Sequence, residues 1–143
     1  MKKHLIKGKN MSERRERPLV IMADDDIEIR RILKRTVSTL ECDIMQAEDG
    51  EQGLEMIIEN QPDLVILDVM MPTISGWELC KYIRSKPSLE HTRIVMLTAI
   101  GKTVNEMTSP LYGADAYLDK PFDIEDVIEV VSRLLGLDKT QSD

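Results

Sequence analysis

Short runs of aliphatic residues recur along this chain, and each stops at a polar side chain: Leu19 to Ala23 at Asp24, Leu64 to Leu67 at Asp68, and Ile94 to Leu97 at Thr98. Runs of four or five suit buried strands and are too short to define helices. Between them, apolar residues return at helical spacing. Ile29, Ile32, Leu33, Thr36, Val37 and Leu40 form the first such stripe, with Arg30, Arg31, Lys34 and Arg35 on other faces. Leu54, Ile57 and Ile58 form a second, led by Gly50 and Gly53 and stopped by Asn60, Gln61 and Pro62, because proline disfavours helical geometry in the residue before it. Trp77, Cys80, Tyr82 and Ile83 form a third that ends near Pro87. A further helix is expected from about Thr103, kept short or irregular by Pro110 and Gly113. The strongest stripe is the last, Ile124, Val127, Ile128, Val131, Leu134 and Leu135, with Asp123 as its N-cap and Gly136 just past its end.

Two more strands are weaker. Cys42 to Ala47 mixes polar and apolar residues, and Ala114 to Leu118 is interrupted by Asp115 and closed by Asp119, Lys120 and Pro121. Strands that alternate with helices build a parallel sheet with right-handed crossovers and helices on both faces. The three apolar strands belong inside such a sheet, and the two carrying Asp43, Gln46 and Asp115 belong at its edges. That distribution matches the order 2-1-3-4-5 of a doubly wound, flavodoxin-like (βα)5 α/β fold.

With 143 residues the chain has the length of one domain. One Trp, three Tyr and one Phe leave the interior to aliphatic residues and nine Met. Cys42 and Cys80 form no Cys-x-x-Cys pair, and no secretory segment or long apolar span is present, so the expectation is a reduced, cytoplasmic protein without a membrane span. His4 and His91 are too isolated for a metal site. Residues 1–17 carry seven Lys or Arg against two Glu, which leaves −12 on residues 18–143. The body therefore repels nucleic acid. The expected organisation is a flexible basic extension over 1–17, one domain over 18–137 and a polar tail over 138–143.

In a sheet of this order, ligands bind at the carboxyl ends of the strands, where the winding direction reverses. Asp24 and Asp25 then lie beside Asp68. Singly, Asp25 or Asp26 could cap a helix and Asp68 a loop. Together, two carboxylates ~5 Å apart repel by roughly 3 kcal/mol even at an effective dielectric of ~20. Three facing one another imply a cation, and an all-oxygen donor set suits Mg²⁺ or Mn²⁺. Thr98 and Lys120 end the last two strands, where a hydroxyl and an ammonium match the needs of a phosphoryl group on Asp68.

Asp24-Asp25, Leu-Asp-Val-Met-Met-Pro at 67–72 followed by Gly76, Leu97-Thr98-Ala99, and Lys120-Pro121-Phe122 preceded by Gly113-Ala114-Asp115 resemble the receiver domains of two-component response regulators over about Pro18 to Leu137. The resemblance implies that Asp68 takes a phosphoryl group from the phosphohistidine of a sensor histidine kinase or a histidine phosphotransfer protein. It implies Mg²⁺ held by Asp25, Asp68 and the backbone carbonyl of Met70, with Asp24 acting through water. It further implies Thr98 and Lys120 on the phosphoryl oxygens, Tyr117 as the aromatic that turns inward with Thr98, and a cis Lys120–Pro121 peptide. The output would be a change in the face made by the helix after Thr103, the last strand and the last helix, read by a downstream protein target. Pro110 departs from the uninterrupted helix expected there. Met70 and Ile100, two positions after Asp68 and Thr98, would slow hydrolysis of the phosphoryl group by flanking the path of water.

Other chemistries fit less well. An aspartate-nucleophile phosphatase carries a second Asp two residues after the nucleophile, where this chain has Met70. A flavin or nucleotide carrier wants a Gly/Ser/Thr loop of backbone donors after its first strand, not three acids. A phosphate-independent binding module would lack a site residue, and none is missing. The short tail leads to the expectation of no DNA-binding domain, unless the chain is part of a larger regulator.

Overall fold

A computed structural model of the protein describes residues 16–99 and 113–137. The strands are β1 (Leu19–Ala23), β2 (Asp43–Ala47), β3 (Leu64–Asp68), β4 (Arg93–Thr98) and β5 (Ala116–Asp119). The helices are α1 (Ile27–Val37), α2 (Gly50–Asn60), α3 (Gly76–Arg84) and α4 (Ile124–Leu135), with a 3₁₀ turn at Pro87–Leu89. All strand pairings are parallel and the order is β2-β1-β3-β4-β5, as the polarity of the strands predicts. The helix expected from Thr103, with Pro110 and Ile100, lies outside the described residues.

Alternation along the strands divides the interior in two. Ile21, Ala23, Val65, Leu67 and Met96 face one side, where Ile57 of α2 and Leu79 and Ile83 of α3 cover them. Val20, Met22, Leu64, Ile66, Val95 and Leu97 face the other, under Leu33 and Val37 of α1 and Val127 and Val131 of α4. Successive strand side chains point to opposite faces, so a strand covered on both sides must be apolar throughout.

The helices cover less than their stripes predict. Ile32, Ile58 and Ile124 count as apolar stripe residues by spacing, yet each is exposed. A flat sheet touches only a narrow line of a helix, so residues about 100° off that line stay in water. Asp123 occupies the N-cap position of α4, but its side chain makes no capping bond. Capping is done elsewhere: Asp26 accepts from the Glu28 amide, Asp49 from the Gln52 amide, and Ser75 and Glu78 form a reciprocal capping box on α3.

The last strand is shifted from its expected span. Asp115 does not interrupt β5 but precedes it, accepting from Arg84 Nη2 at 2.9 Å and from the Ile94 amide at 2.7 Å, with Arg93 Nη1 at 3.5 Å. Arg84 Nε also donates to the Gly113 carbonyl at 3.0 Å. The C-terminal end of α3 thus holds the entry to the edge strand. Arg17, placed by composition in the leader, donates to the Cys42 carbonyl at 3.1 Å and lies 3.4 Å from Asp43.

Cys42 and Cys80 are free and buried. Burial pushes the Cys80 thiol up to about 12, with Arg84 opposing and Asp115 assisting, and burial raises Cys42 as well. Since the thiolate is the reactive form, both thiols should react with a disulfide reagent at pH 8 about 100-fold or more slowly in native protein than in denaturant. Native labelling at the denatured rate would contradict the burial of both.

Candidate functional site

Register brings the site together. Ala23 pairs with Leu67, so Asp24 and Asp68 stand at the same level at the ends of adjacent strands. Asp68 pairs with Leu97, which puts Thr98 one residue further along β4. Thr98 pairs with Asp119, and the Lys120 amide donates to the Thr98 carbonyl at 2.8 Å, so Lys120 follows at the next level. Four strand ends therefore deliver an acid, an acid, a hydroxyl and an amine to one rim of the sheet.

Asp24 has no solvent exposure, and Asp68 and Thr98 are buried. One oxygen each from Asp24, Asp25 and Asp68 lie within 4.8 Å of one another. Lys120 Nζ lies 3.0 Å from Asp24 Oδ2 and 3.3 Å from Asp68 Oδ1, bridging the two buried acids. Asp24 Oδ1 accepts from the Asp26 amide at 2.8 Å, and Arg30 donates to the Asp24 carbonyl at 2.7 Å. Those two bonds tie the first acidic turn to α1.

Burial pushes the Asp68 carboxyl up to about 6, and the neighbouring Asp24 charge pushes the same way. Lys120 and the Met70 amide, which donates to Asp68 Oδ1 at 3.3 Å, hold it back from rising further. For Lys120, burial works against the ammonium, but the attraction of Asp24 and Asp68 outweighs it and the net direction is upward. The two directions agree on one picture, in which one ammonium shared between two buried carboxylates is held firmly and leaves Asp68 under-compensated.

The Met70 side chain is 69% exposed at the rim beside Asp68. Tyr117 lies at the β5 position paired with Met96, its ring 6.2 Å from that of Trp77. The Lys120–Pro121 peptide is cis, as the resemblance implies. Two features have no clear signal in the sequence. The bridge from Lys120 to both acids joins residues 52 and 96 positions apart, and the Trp77 contact to Tyr117 depends on how α3 lies on the sheet.

The comparisons with known proteins agree with the geometry. The chain is 34% identical to the DNA-binding dual master transcriptional regulator RpaA of Synechocystis sp. over 118 residues, which is 82% of this chain and 49% of that protein. It spans about half the length of the curated relatives it matches. The receiver domain of a Francisella response regulator superposes with a TM-score of 0.76 at 33% identity, covering 85% of this chain and 99% of that one. The chemotaxis response regulator CheY4 of Vibrio cholerae gives 0.77 at 29% identity, covering 82% and 98%. No helix among the described residues is long and apolar enough to cross a membrane. The sequence profile of the response regulator receiver domain matches residues 20–132, from the second residue of the first strand into the last helix and across every strand end described above, and the chain belongs to that family.

Proposed function

We propose that Asp68 accepts a phosphoryl group from the phosphohistidine of a sensor histidine kinase or a histidine phosphotransfer protein. The observation that carries this reading is the rim itself: a buried carboxylate at a strand end, 3.3 Å from an ammonium and clustered with two more carboxylates. An Asp68 carboxylate oxygen attacks phosphorus as the N–P bond breaks, the bonding electrons return to the imidazole nitrogen, and an acyl phosphate remains on Asp68. Lys120 Nζ, already at Asp68 Oδ1, is placed to transfer its hydrogen bonds to the phosphoryl oxygens, with Thr98 as the second donor. These contacts exist only in the phosphorylated state and bias it toward a different surface. Tyr117, β5 and α4 make the described part of the face on which that bias is read by a protein target.

The donor set fits a divalent cation. Three carboxylates against one ammonium leave two negative charges, all on oxygen, within 4.8 Å. Asp24, Asp25, Asp68 and the Met70 carbonyl would hold Mg²⁺ or Mn²⁺, which supplies charge neutralisation during phosphoryl transfer. The relatives' greater length supports this chain serving as the receiver part of a regulator whose output lies in another domain. Turnover of external phosphate esters is disfavoured, since Met70 stands where a general acid is needed.

Incubation with Mg²⁺ and a small phosphodonor, followed by intact mass, tests the reading. The parent is expected to gain one phosphoryl group and Asp68→Asn none; no gain in the parent, or equal gain in both, overturns it. The bulk of Met70 is expected to shield the acyl phosphate. Met70→Asn and Ile100→Glu should each shorten its lifetime by up to about tenfold, which corresponds to roughly 1.4 kcal/mol of barrier. Phosphate loss no faster than in the parent rules that role out.

A further inference from the structure

The edge strand β2 is flanked by two helices of opposite charge. On α1, Ile27, Arg31, Lys34 and Arg35 lie within about 100° of one another around the helix axis. Together with Gln46 of β2 they line an open groove of about 430 Å³. Arg31 has only a 3.9 Å approach to exposed Glu28, and Lys34 and Arg35 make no ion pair among the described residues. On α2, Glu51, Glu55, Ile58 and Glu59 share one exposed face, and these glutamates likewise make no ion pair among the described residues. Like charges four residues apart, as in Arg31 with Arg35 or Glu51 with Glu55, oppose the helix that carries them. Each face also presents a half-exposed isoleucine, Ile27 at 51% and Ile58 at 50%. Opposite charges at matching helical spacing, each beside an apolar residue, form a complementary pair of surfaces.

We propose that this chain self-associates along the β2 edge, the basic face of α1 in one copy lying against the acidic face of α2 in another. The two helices pack on opposite faces of the sheet, α1 on the side of Val20 and Met22 and α2 on the side of Ile21 and Ala23. A two-fold axis running along the edge exchanges those faces, so one contact generates the second and the assembly closes as a dimer. The net charge of −7 on each copy adds a general repulsion that this local pairing must overcome. Neither face contains a residue of the acidic rim.

Sedimentation velocity on the full chain, up to about 1 mM where weak electrostatic pairing is measurable, tests the assignment. The parent is expected to dimerise reversibly. Arg31→Glu with Arg35→Glu, and separately Glu51→Lys with Glu55→Lys, should each weaken dimerisation by about tenfold or more. The α2 reversal lowers the net negative charge, so generalised repulsion predicts the opposite result for it. An equimolar mixture of the two reversed proteins should recover association to within about threefold of the parent, because each reversed face then meets its complement. Far-UV circular dichroism establishes that both are folded. A parent that stays monomeric, a reversed variant that dimerises like the parent, or a mixture that stays monomeric overturns the proposal. So does loss on reversing α2 but not α1, which assigns the acidic face to another basic segment such as the chain's own leader.

Discussion

Asp68→Asn is expected to abolish phosphoryl uptake and, without divalent metal at pH 7, to make the protein more stable than the parent. The Asp68 carboxyl is raised from 3.8 to about 6, first by burial and then by Asp24. Between those values the folded state binds a proton that the unfolded state has released, so stability falls as pH rises through the window. Above about pH 6 the whole penalty is present. It amounts to on the order of 2–3 kcal/mol, and asparagine removes it while keeping the shape of the side chain. The melting temperature at pH 7 should rise by roughly 5–10 °C. At pH 4 the gap should shrink to about 0.6 kcal/mol, because Asp68 is then neutral in the folded parent and only partly ionised in the unfolded chain. Added Mg²⁺ should stabilise the parent more than the variant, since three carboxylates bind a cation better than two. A variant that melts below the parent at pH 7 in chelator shows that Lys120 compensates Asp68 fully, contrary to the raised carboxyl.

Gly76→Ala should be a highly damaging substitution against the strand end that carries Asp68. A Cβ at residue 76 would run into the Asp68 carbonyl oxygen, with the Asp68 carbonyl carbon at 2.9 Å and Val69 Cα at 3.0 Å. These are backbone atoms of the strand end that carries the acceptor, and the Gly76 amide donates to the Val69 carbonyl at 2.9 Å, so neither partner can retreat freely. A loss of about 3–5 kcal/mol in urea unfolding is expected, a large fraction of the stability of a domain of this size. Gly53→Ala is the control. Its Cβ would sit 3.3 Å from the Ala23 Cβ and 3.7 Å from Ala47 and Leu79, and alanine's gain in helix propensity offsets that tightness, giving a change within about 1 kcal/mol. If Gly76→Ala also stays within about 1 kcal/mol of the parent, the close approach of α3 to Asp68 is not rigid.

Much of this could be read from local pattern. Leu64 to Leu67 had to be a strand covered on both faces, and an apolar run ending in Asp68 had to put a carboxylate at its rim. Polarity at Asp43 and Gln46 marked β2 as an edge. Asp115 was misread for a physical reason: along the chain it breaks an apolar run, whereas in space its carboxylate anchors β5 to Arg84 and Arg93, 31 and 22 residues away. Helical spacing likewise identified the stripes of α1, α2 and α4, but not that Ile32, Ile58 and Ile124 would miss the sheet.

The division follows from the range of the forces. Hydrophobic period and proline geometry act over a few residues, so the sequence alone determined the order of elements, the parallel sheet and the cluster Asp24, Asp25 and Asp68 at its rim. Ion pairs and ring contacts depend on strand register and helix rotation, which are settled only when the two cores pack. Tertiary structure therefore decided that Lys120 bridges Asp24 and Asp68, that the Asp68 carboxyl is raised by its burial, and that Trp77 rests against Tyr117.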